Sequence, residues 1–364
     1  MQQKRFLAIF APGFESVIGS MLAESLPGLG RVEISSGMVL FDAPCALEDV
    51  ASLAFLNNVF LVLREWHTNS SSPVAMVRSV TSSEIPELIL HDILSIGAGS
   101  FRVRFSRENQ FFSVDKKTMS DVERYISAQT GLSADRVTPD MEFWFIVRSE
   151  KYSCFAARIT KKQSTEKYLE RGELRPEIAQ LLVSLARVSA ADLVIVDPFA
   201  GHGAIPAQLA VDLAARGGPT STVVHASDID PELVAAMRRR FGLGGVVQVR
   251  KCDALSLSYL ADGSVDLVVT DPPWGFWEGN RYQGEQSIAT LYRGMLAEFA
   301  RILVPDGRAF VLTGAKREME ESVLESPVFA RCAALPNFRT DVLVNGKKSA
   351  VFALSKKDVP HGKA

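Results

Sequence analysis

No stretch of the chain approaches the roughly 20 consecutive apolar residues that a membrane-spanning helix needs. The N-terminal Met-Gln-Gln-Lys-Arg leads into a short strand-like segment rather than a signal-peptide core, so the cytosol is the expected location. Cysteine is scarce: Cys45, Cys154, Cys252 and Cys332 are scattered with no C-x-x-C pair, which favours reduced, buried thiols over a disulfide or metal framework. The five histidines form no ligand cluster, and no metal site is indicated. Neither G-x-G-x-x-G nor G-K-[ST] occurs, so a pyrophosphate cradle is poorly supported. There is no strong excess of either charge, the net being −2.

The local balance is different. Residues 151–175 hold seven Lys/Arg, among them Lys161, Lys162 and Lys167, against three Glu. Phosphate neutralisation depends on such patches rather than on the sum over the chain. Taken alone, a solvated linker is the better reading of this one.

The 364 residues suffice for two or three domains, and the pattern changes near residues 165–190. Before it, strands and helices alternate irregularly: strands at Arg5–Phe10, Val32–Phe41 and Val59–Leu63, helices at Phe14–Leu26 and Leu47–Phe55. A second group follows, with a helix opened by Pro86 and Glu87 and closed by Gly97 and Gly99. The strictly alternating strand Phe101–Phe105 puts Arg102 and Arg104 on one face. A helix at Ser120–Thr130 and strands at Glu142–Val147 and Tyr152–Arg158 complete an α+β pattern. After Pro176, where a further helix starts, short apolar strands alternate with helices from residue 192 onward. That rhythm predicts a parallel, doubly wound sheet. It ends in a hairpin signal, Asp341–Val344, Asn345-Gly346, Ala350–Leu354.

In open α/β sheets the ligand sits at the carboxyl ends of the strands. Four successive strands of this half end in Asp197, Asp228, Asp253 and Asp271. Gly201 and Gly203 allow a tight turn after the first, Asp228 suits the hydroxyls of a ribose, and Asp230 before Pro231 reads as a helix cap. Asp253 can accept a hydrogen bond from an exocyclic amine. In Thr270-Asp271-Pro272-Pro273-Trp274 the prolines stop the strand and leave a carboxylate and carbonyls facing outward. So many acids would repel a pyrophosphate. S-adenosylmethionine, with an amino acid, a ribose, an adenine and a sulfonium, fits them.

The constellation D-P-F-A-G-x-G, S-D-I-D, C-D-A and D-P-P-W resembles the class I S-adenosylmethionine-dependent amino-methyltransferases over roughly residues 170–355. D-P-P-W-G resembles the branch that methylates the exocyclic N2 amine of guanosine in RNA. Residues 75–160, with Ser100-Phe101-Arg102-Val103-Arg104, look like a THUMP RNA-binding domain, and residues 1–65 resemble the ferredoxin-like subdomain that precedes it. Gly172–Pro176 is similar to the connector into the catalytic domain.

The resemblance implies a fold: a Rossmann-like class I methyltransferase, doubly wound with a C-terminal antiparallel hairpin, after an α+β ferredoxin-like and THUMP region. The implied boundaries are 1–65, 66–165, a linker helix at 166–190, and 191–364. It also implies roles. Asp197, Phe199, Ala200, Gly201 and Gly203 would hold the methionine end of the cofactor, Asp228 and Ile229 the ribose side, and Asp253 and Ala254 the adenine. Asp271, Pro272, Pro273 and Trp274 would receive the target base, with Asp271 and the Pro272 carbonyl accepting from its amine and Trp274 stacking on it. Arg102, Arg104, Lys161, Lys162 and Lys167 would contact RNA. Two positions depart from the family pattern, His202 and Ala204; the His202 side chain is expected to turn to solvent.

Phe276 and Trp277 read equally well as stacking platform or core. The favoured substrate is tRNA, with no membrane or metal partner and with room left for a small protein activator. The runners-up are an rRNA guanosine-N2 or nucleic-acid adenine-N6 methyltransferase and, behind them, a non-catalytic RNA-binding subunit.

Overall fold

Short, largely apolar strands build both sheets, and in the first sheet the strand Ser100–Arg107 alternates buried and half-buried residues over most of its length. A computed structural model describes residues 2–67, 72–148, 151–160, 173–215, 221–275 and 287–356. The chain forms two compact units, Met1–Phe10 with Ile18–Gln163, and Ala11–Val17 with Ser164–Ala364.

The first unit begins with β1 (Lys4–Ile9), α1 (Glu15–Ser25), β2 (Val32–Ser35), β3 (Met38–Ala43), α2 (Leu47–Ala51) and β4 (Asn58–Trp66). Its strands lie in the order β2-β3-β1-β4, the arrangement of a ferredoxin-like βαββαβ unit. The strand material expected over Val32–Phe41 folds as a hairpin. Gly37, at φ +67°, turns the chain between β2 and β3, a conformation in which glycine carries no Cβ penalty.

Next come α3 (Pro73–Thr81), α4 (Glu87–Ser95), β5 (Ser100–Arg107), β6 (Gln110–Phe111), α5 (Lys116–Thr130), β7 (Ser133–Ala134), β8 (Met141–Val147) and β9 (Ser153–Arg158). Here β9 pairs antiparallel with β4, so the strands of both groups make one nine-stranded sheet. Phe101, Phe143, Phe145 and Phe155 are buried on its core side, with the Phe105 and Phe145 rings stacked at 4.8 Å.

The second unit comprises α6 (Pro176–Ala186), β10 (Val194–Asp197), α7 (Ala204–Ala215), β11 (Val223–Asp228), α8 (Pro231–Phe241), β12 (Val247–Lys251) and β13 (Val265–Thr270). It continues through α9 (Ile288–Ile302), β14 (Leu303–Thr313), α10 (Lys316–Glu325), a 3-10 turn at Ala330–Ala334, β15 (Arg339–Val344) and β16 (Lys347–Ser355). The sheet order is β12-β11-β10-β13-β14-β16-β15. The first five strands are parallel and β16 enters antiparallel between β14 and β15. The hairpin turn has Asn345 and Gly346 both at positive φ, as a two-residue β-turn of this hand requires.

The strand order reverses at β10, between β11 and β13. Asp197, Asp228 and Asp271 are thereby brought to one edge of the sheet. No helix among the described residues is long and apolar enough to cross a membrane.

Candidate active site

Asp197 ends β10 and is 1 % exposed. Its Oδ1 accepts hydrogen bonds from the Thr270 hydroxyl at 2.7 Å and the Phe199 N–H at 3.3 Å. Its Oδ2 is buried with no hydrogen-bond partner among the described residues. Burial, and then the nearby carboxylates of Asp271 and Asp228, push this acid up to about 8. A buried carboxyl with one unanswered acceptor is costly to the protein and favourable to an incoming donor or cation.

The glycine loop is fixed from below by Asp228. Its Oδ2 accepts from the Gly201 N–H at 3.0 Å, and its Oδ1 from the Asp230 N–H at 2.9 Å. The Ala200 N–H is bound to the Ser227 carbonyl. The loop amide at Gly201 is therefore turned onto a carboxylate rather than offered to a phosphate. Burial raises the Asp228 carboxyl above its ordinary range, against the amides that lower it.

Gly203 has φ +84°, and a Cβ there would lie 2.7 Å from the Phe241 ring. Asp230 caps α8, accepting from the Glu232 N–H at 2.8 Å, as the residue before Pro231 was expected to. His202 is half-buried, and its carbonyl accepts from Arg240. Phe199 is half-buried against the core, Ile229 is exposed beside Asp228, and Ala254 is buried. Asp253 is exposed and its Oδ1 accepts from the Leu255 N–H, which shapes the turn after β12.

After β13 the chain turns through Asp271–Gly275. The indole N–H of Trp274 donates to Asp271 Oδ1 at 2.7 Å, which fixes ring and carboxylate relative to each other. Gly275 has φ +79°, and a Cβ there would lie 2.6 Å from Ile288 Cγ1, so the residue after D-P-P-W must be glycine. Two residues that sequence reasoning missed support the turn. Fully buried Tyr292 on α9 donates to the Pro273 carbonyl at 2.8 Å, and its oxygen lies 2.7 Å from the Thr313 hydroxyl at the end of β14. No local motif marks either one, because they meet the turn only through the fold. Phe276 and Trp277 lie outside the described residues. Among the described residues, no group of three or more His, Cys, Asp or Glu is placed to hold a metal ion.

In the first unit, Arg102 on β5 donates to Glu142 on β8 at 2.7 Å, and Arg158 on β9 donates to the same carboxylate at 3.0 Å. Glu142 is only 7 % exposed, and these partners hold it below the usual carboxylate range despite its burial. Arg102 thus serves the sheet. Arg104 lies further out, over the ring of Phe111 at 5.1 Å. Phe111 is 61 % exposed, and with Arg104, Phe112, Lys116 and Arg136 it lines a cleft of about 470 Å³. Lys161, Lys162 and Lys167 lie outside the described residues.

Residues 164–342 match the family described as UPF0020, RMKL-like, methyltransferase domain. The chain is 28 % identical over 198 residues to a tRNA (guanine(10)-N2)-dimethyltransferase of Methanothermobacter thermautotrophicus, a match covering 50 % of this chain and 54 % of that protein. It is 31 % identical over 153 residues to the tRNA (guanine(6)-N(2))-methyltransferase THUMP3 of Bos taurus, covering 40 % of this chain and 29 % of that one. The chain thus spans about half or less of the length of these curated relatives. The crystal structure of TrmN from Thermus thermophilus is similar along the chain, with a TM-score of 0.75, 26 % identity, and coverage of 98 % of this chain and 100 % of that one. In its sheet order, the carboxylates at its switch point and these likenesses together, the second unit of the chain resembles the methyltransferase domain of the RMKL-like UPF0020 family.

Proposed function

We propose that the chain is an S-adenosylmethionine-dependent methyltransferase that acts on the exocyclic N2 amine of a guanosine in tRNA. One observation carries this. Asp197, with an unanswered buried oxygen, stands near Asp228 and Asp271 at the switch point, and Asp271 is locked to Trp274 in a proline-walled turn. The donor set fits the cofactor: an amino group can answer Asp197 Oδ2, and a sulfonium relieves the repulsion among three acids, where a phosphate would add to it. Phe199, Ala200, Gly201 and Gly203 would line the methionine end, Asp228 and Ile229 the ribose side, and Asp253 and Ala254 the adenine. When bound, the cofactor supplies an electrophilic methyl group.

The chain's own residues supply position and a proton acceptor. An exocyclic guanine amine is a weak nucleophile, because its lone pair is delocalised into the ring. Asp271 and the Pro272 carbonyl accept its two N–H bonds and aim the nitrogen at the methyl. Trp274 offers a face to the extruded base. Asp271 then takes the proton as the amine becomes cationic. The curated relatives named above are guanine-N2 methyltransferases of tRNA, which supports guanine over adenine.

RNA binding is assigned to residues 66–165, behind a ferredoxin-like subdomain at 1–65, with 166–190 leading into the catalytic domain at 191–364. Arg104, Lys161, Lys162 and Lys167 carry it, with Arg102 held back by Glu142, and the cleft at Phe111 adds an exposed ring beside three cations. Replacement of Asp271 by Ala tests the assignment. Methyl transfer to tRNA should fall by about 10²–10⁴-fold while calorimetry shows cofactor binding retained. Full activity in that variant would refute it.

A further inference from the structure

Tyr292 is the largest fully buried side chain of the described residues, and it carries a hydroxyl into a core that a phenylalanine would fill as well. A buried hydroxyl is tolerated only where it is hydrogen-bonded. Its oxygen lies 2.8 Å from the Pro273 carbonyl and 2.7 Å from Thr313 Oγ1, and the Ala315 N–H donates to Thr313 Oγ1 at 3.0 Å. The direction of every link follows from what each group can do. A carbonyl only accepts, so the Tyr292 hydroxyl donates to Pro273. Its one proton is then spent, so it accepts from the Thr313 hydroxyl, and Thr313 accepts from the amide. The chain of donors therefore runs one way, from the backbone after β14 to the D-P-P-W turn.

That turn needs an outside anchor. Pro272 and Pro273 have no N–H, so across the two prolines the carbonyls are the only backbone groups that can be held. On the same face of α9, four residues before Tyr292, Ile288 packs where a Cβ on residue 275 would stand. One helix thus grips the turn at both Pro273 and Gly275.

We propose that Tyr292, oriented by Thr313, is a positioning residue: it fixes the Pro273 carbonyl and so the directions in which Asp271, the Pro272 carbonyl and Trp274 face the target amine. The assignment rests on the function proposed above. Tyr292 touches neither cofactor nor base; it acts through the turn.

The full-length chain with Tyr292→Phe, Thr313→Val and Thr313→Ser tests it. At saturating tRNA and S-adenosylmethionine, Tyr292→Phe should slow single-turnover methyl transfer by at least about tenfold. The KM for tRNA and the Kd for S-adenosylhomocysteine should stay within about twofold of wild type. Thr313→Ser should keep the wild-type rate, and Thr313→Val should fall between, because Tyr292 can still donate to Pro273 without its own donor. Amide exchange should quicken at Asp271, Trp274 and Gly275 in Tyr292→Phe but not at Gly201 or Asp230. An unchanged rate in Tyr292→Phe overturns the proposal. So does a loss of rate matched by lost S-adenosylhomocysteine affinity and faster exchange throughout the unit, which is the signature of a core residue. Should wild type transfer no methyl to tRNA, the functional reading fails, and exchange alone decides: quickening confined to Asp271–Gly275 supports the anchor, and none overturns it.

Discussion

Asp197 has little solvent around it, two other carboxylates near by and one oxygen without a donor, so in the free protein it holds its proton up to about pH 8. The sign follows. Its folded-state pKa is raised above the unfolded value, so the stability it contributes is fully present below the ordinary aspartate range. That contribution is lost as pH rises toward about 8. A cation or amine at Oδ2 favours the ionised form. Binding of S-adenosylmethionine at pH 7 should therefore release close to one proton, and affinity should climb with pH and level off above about 8. Calorimetry in buffers of different ionisation enthalpy reads the released proton directly. Asp197→Asn should abolish the release, and a wild-type binding heat independent of buffer contradicts the argument. The acids at the strand ends were legible in the sequence because apolar runs and following prolines or glycines mark where strands stop. Tyr292 and Thr313 were not, because their partner in the turn is distant along the chain and the fold alone joins them.

The loop between β10 and α7 separates two costs that look alike in the sequence. Gly201 and Gly203 both have positive φ, but a Cβ at 201 meets nothing within 4 Å, while one at 203 strikes Phe241 at 2.7 Å. Gly201→Ala should cost about 1–2 kcal/mol, the left-handed backbone penalty alone. Gly203→Ala should cost a further ~1–3 kcal/mol for overpacking against α8. Urea midpoints of the two variants test this, and equal destabilisation would contradict it. Most elements of the second unit were legible because strands such as β10 and β11 are largely apolar runs with a helical period after them. Helix α10, Lys316–Glu325, was not anticipated: it is rich in charge and its first turn lacks a side-chain cap. Helix α3 escaped notice for want of a strong signal beyond Pro73 at its start. In both, packing of a few buried residues selects a helix that local sequence does not announce.

For the whole molecule, a net charge of −2 conceals a division of labour between a basic, aromatic cleft in one unit and an acidic switch point in the other. On the proposed function, RNA affinity belongs to the first and chemistry to the second. Lys116→Glu puts an acid in the first turn of α5, where the helix dipole tolerates it, and Phe111→Ala removes an exposed ring. Each should weaken tRNA binding, the phenylalanine by about 1–3 kcal/mol if a base stacks there, with S-adenosylmethionine affinity unchanged. Filter binding across a salt series would show the shallower slope expected after loss of a phosphate contact in Lys116→Glu. Unchanged tRNA affinity in both variants would remove the cleft from the account. Mass spectrometry of nucleosides from tRNA incubated with the protein and S-adenosylmethionine decides whether the proposed site methylates a guanine amine in tRNA. N2-methylated guanosine should form with wild type, and at an initial rate lower by about 10²–10⁴-fold with Asp271→Ala. Methyl groups on adenine N6, or no methylated nucleoside at all, would contradict the proposed function.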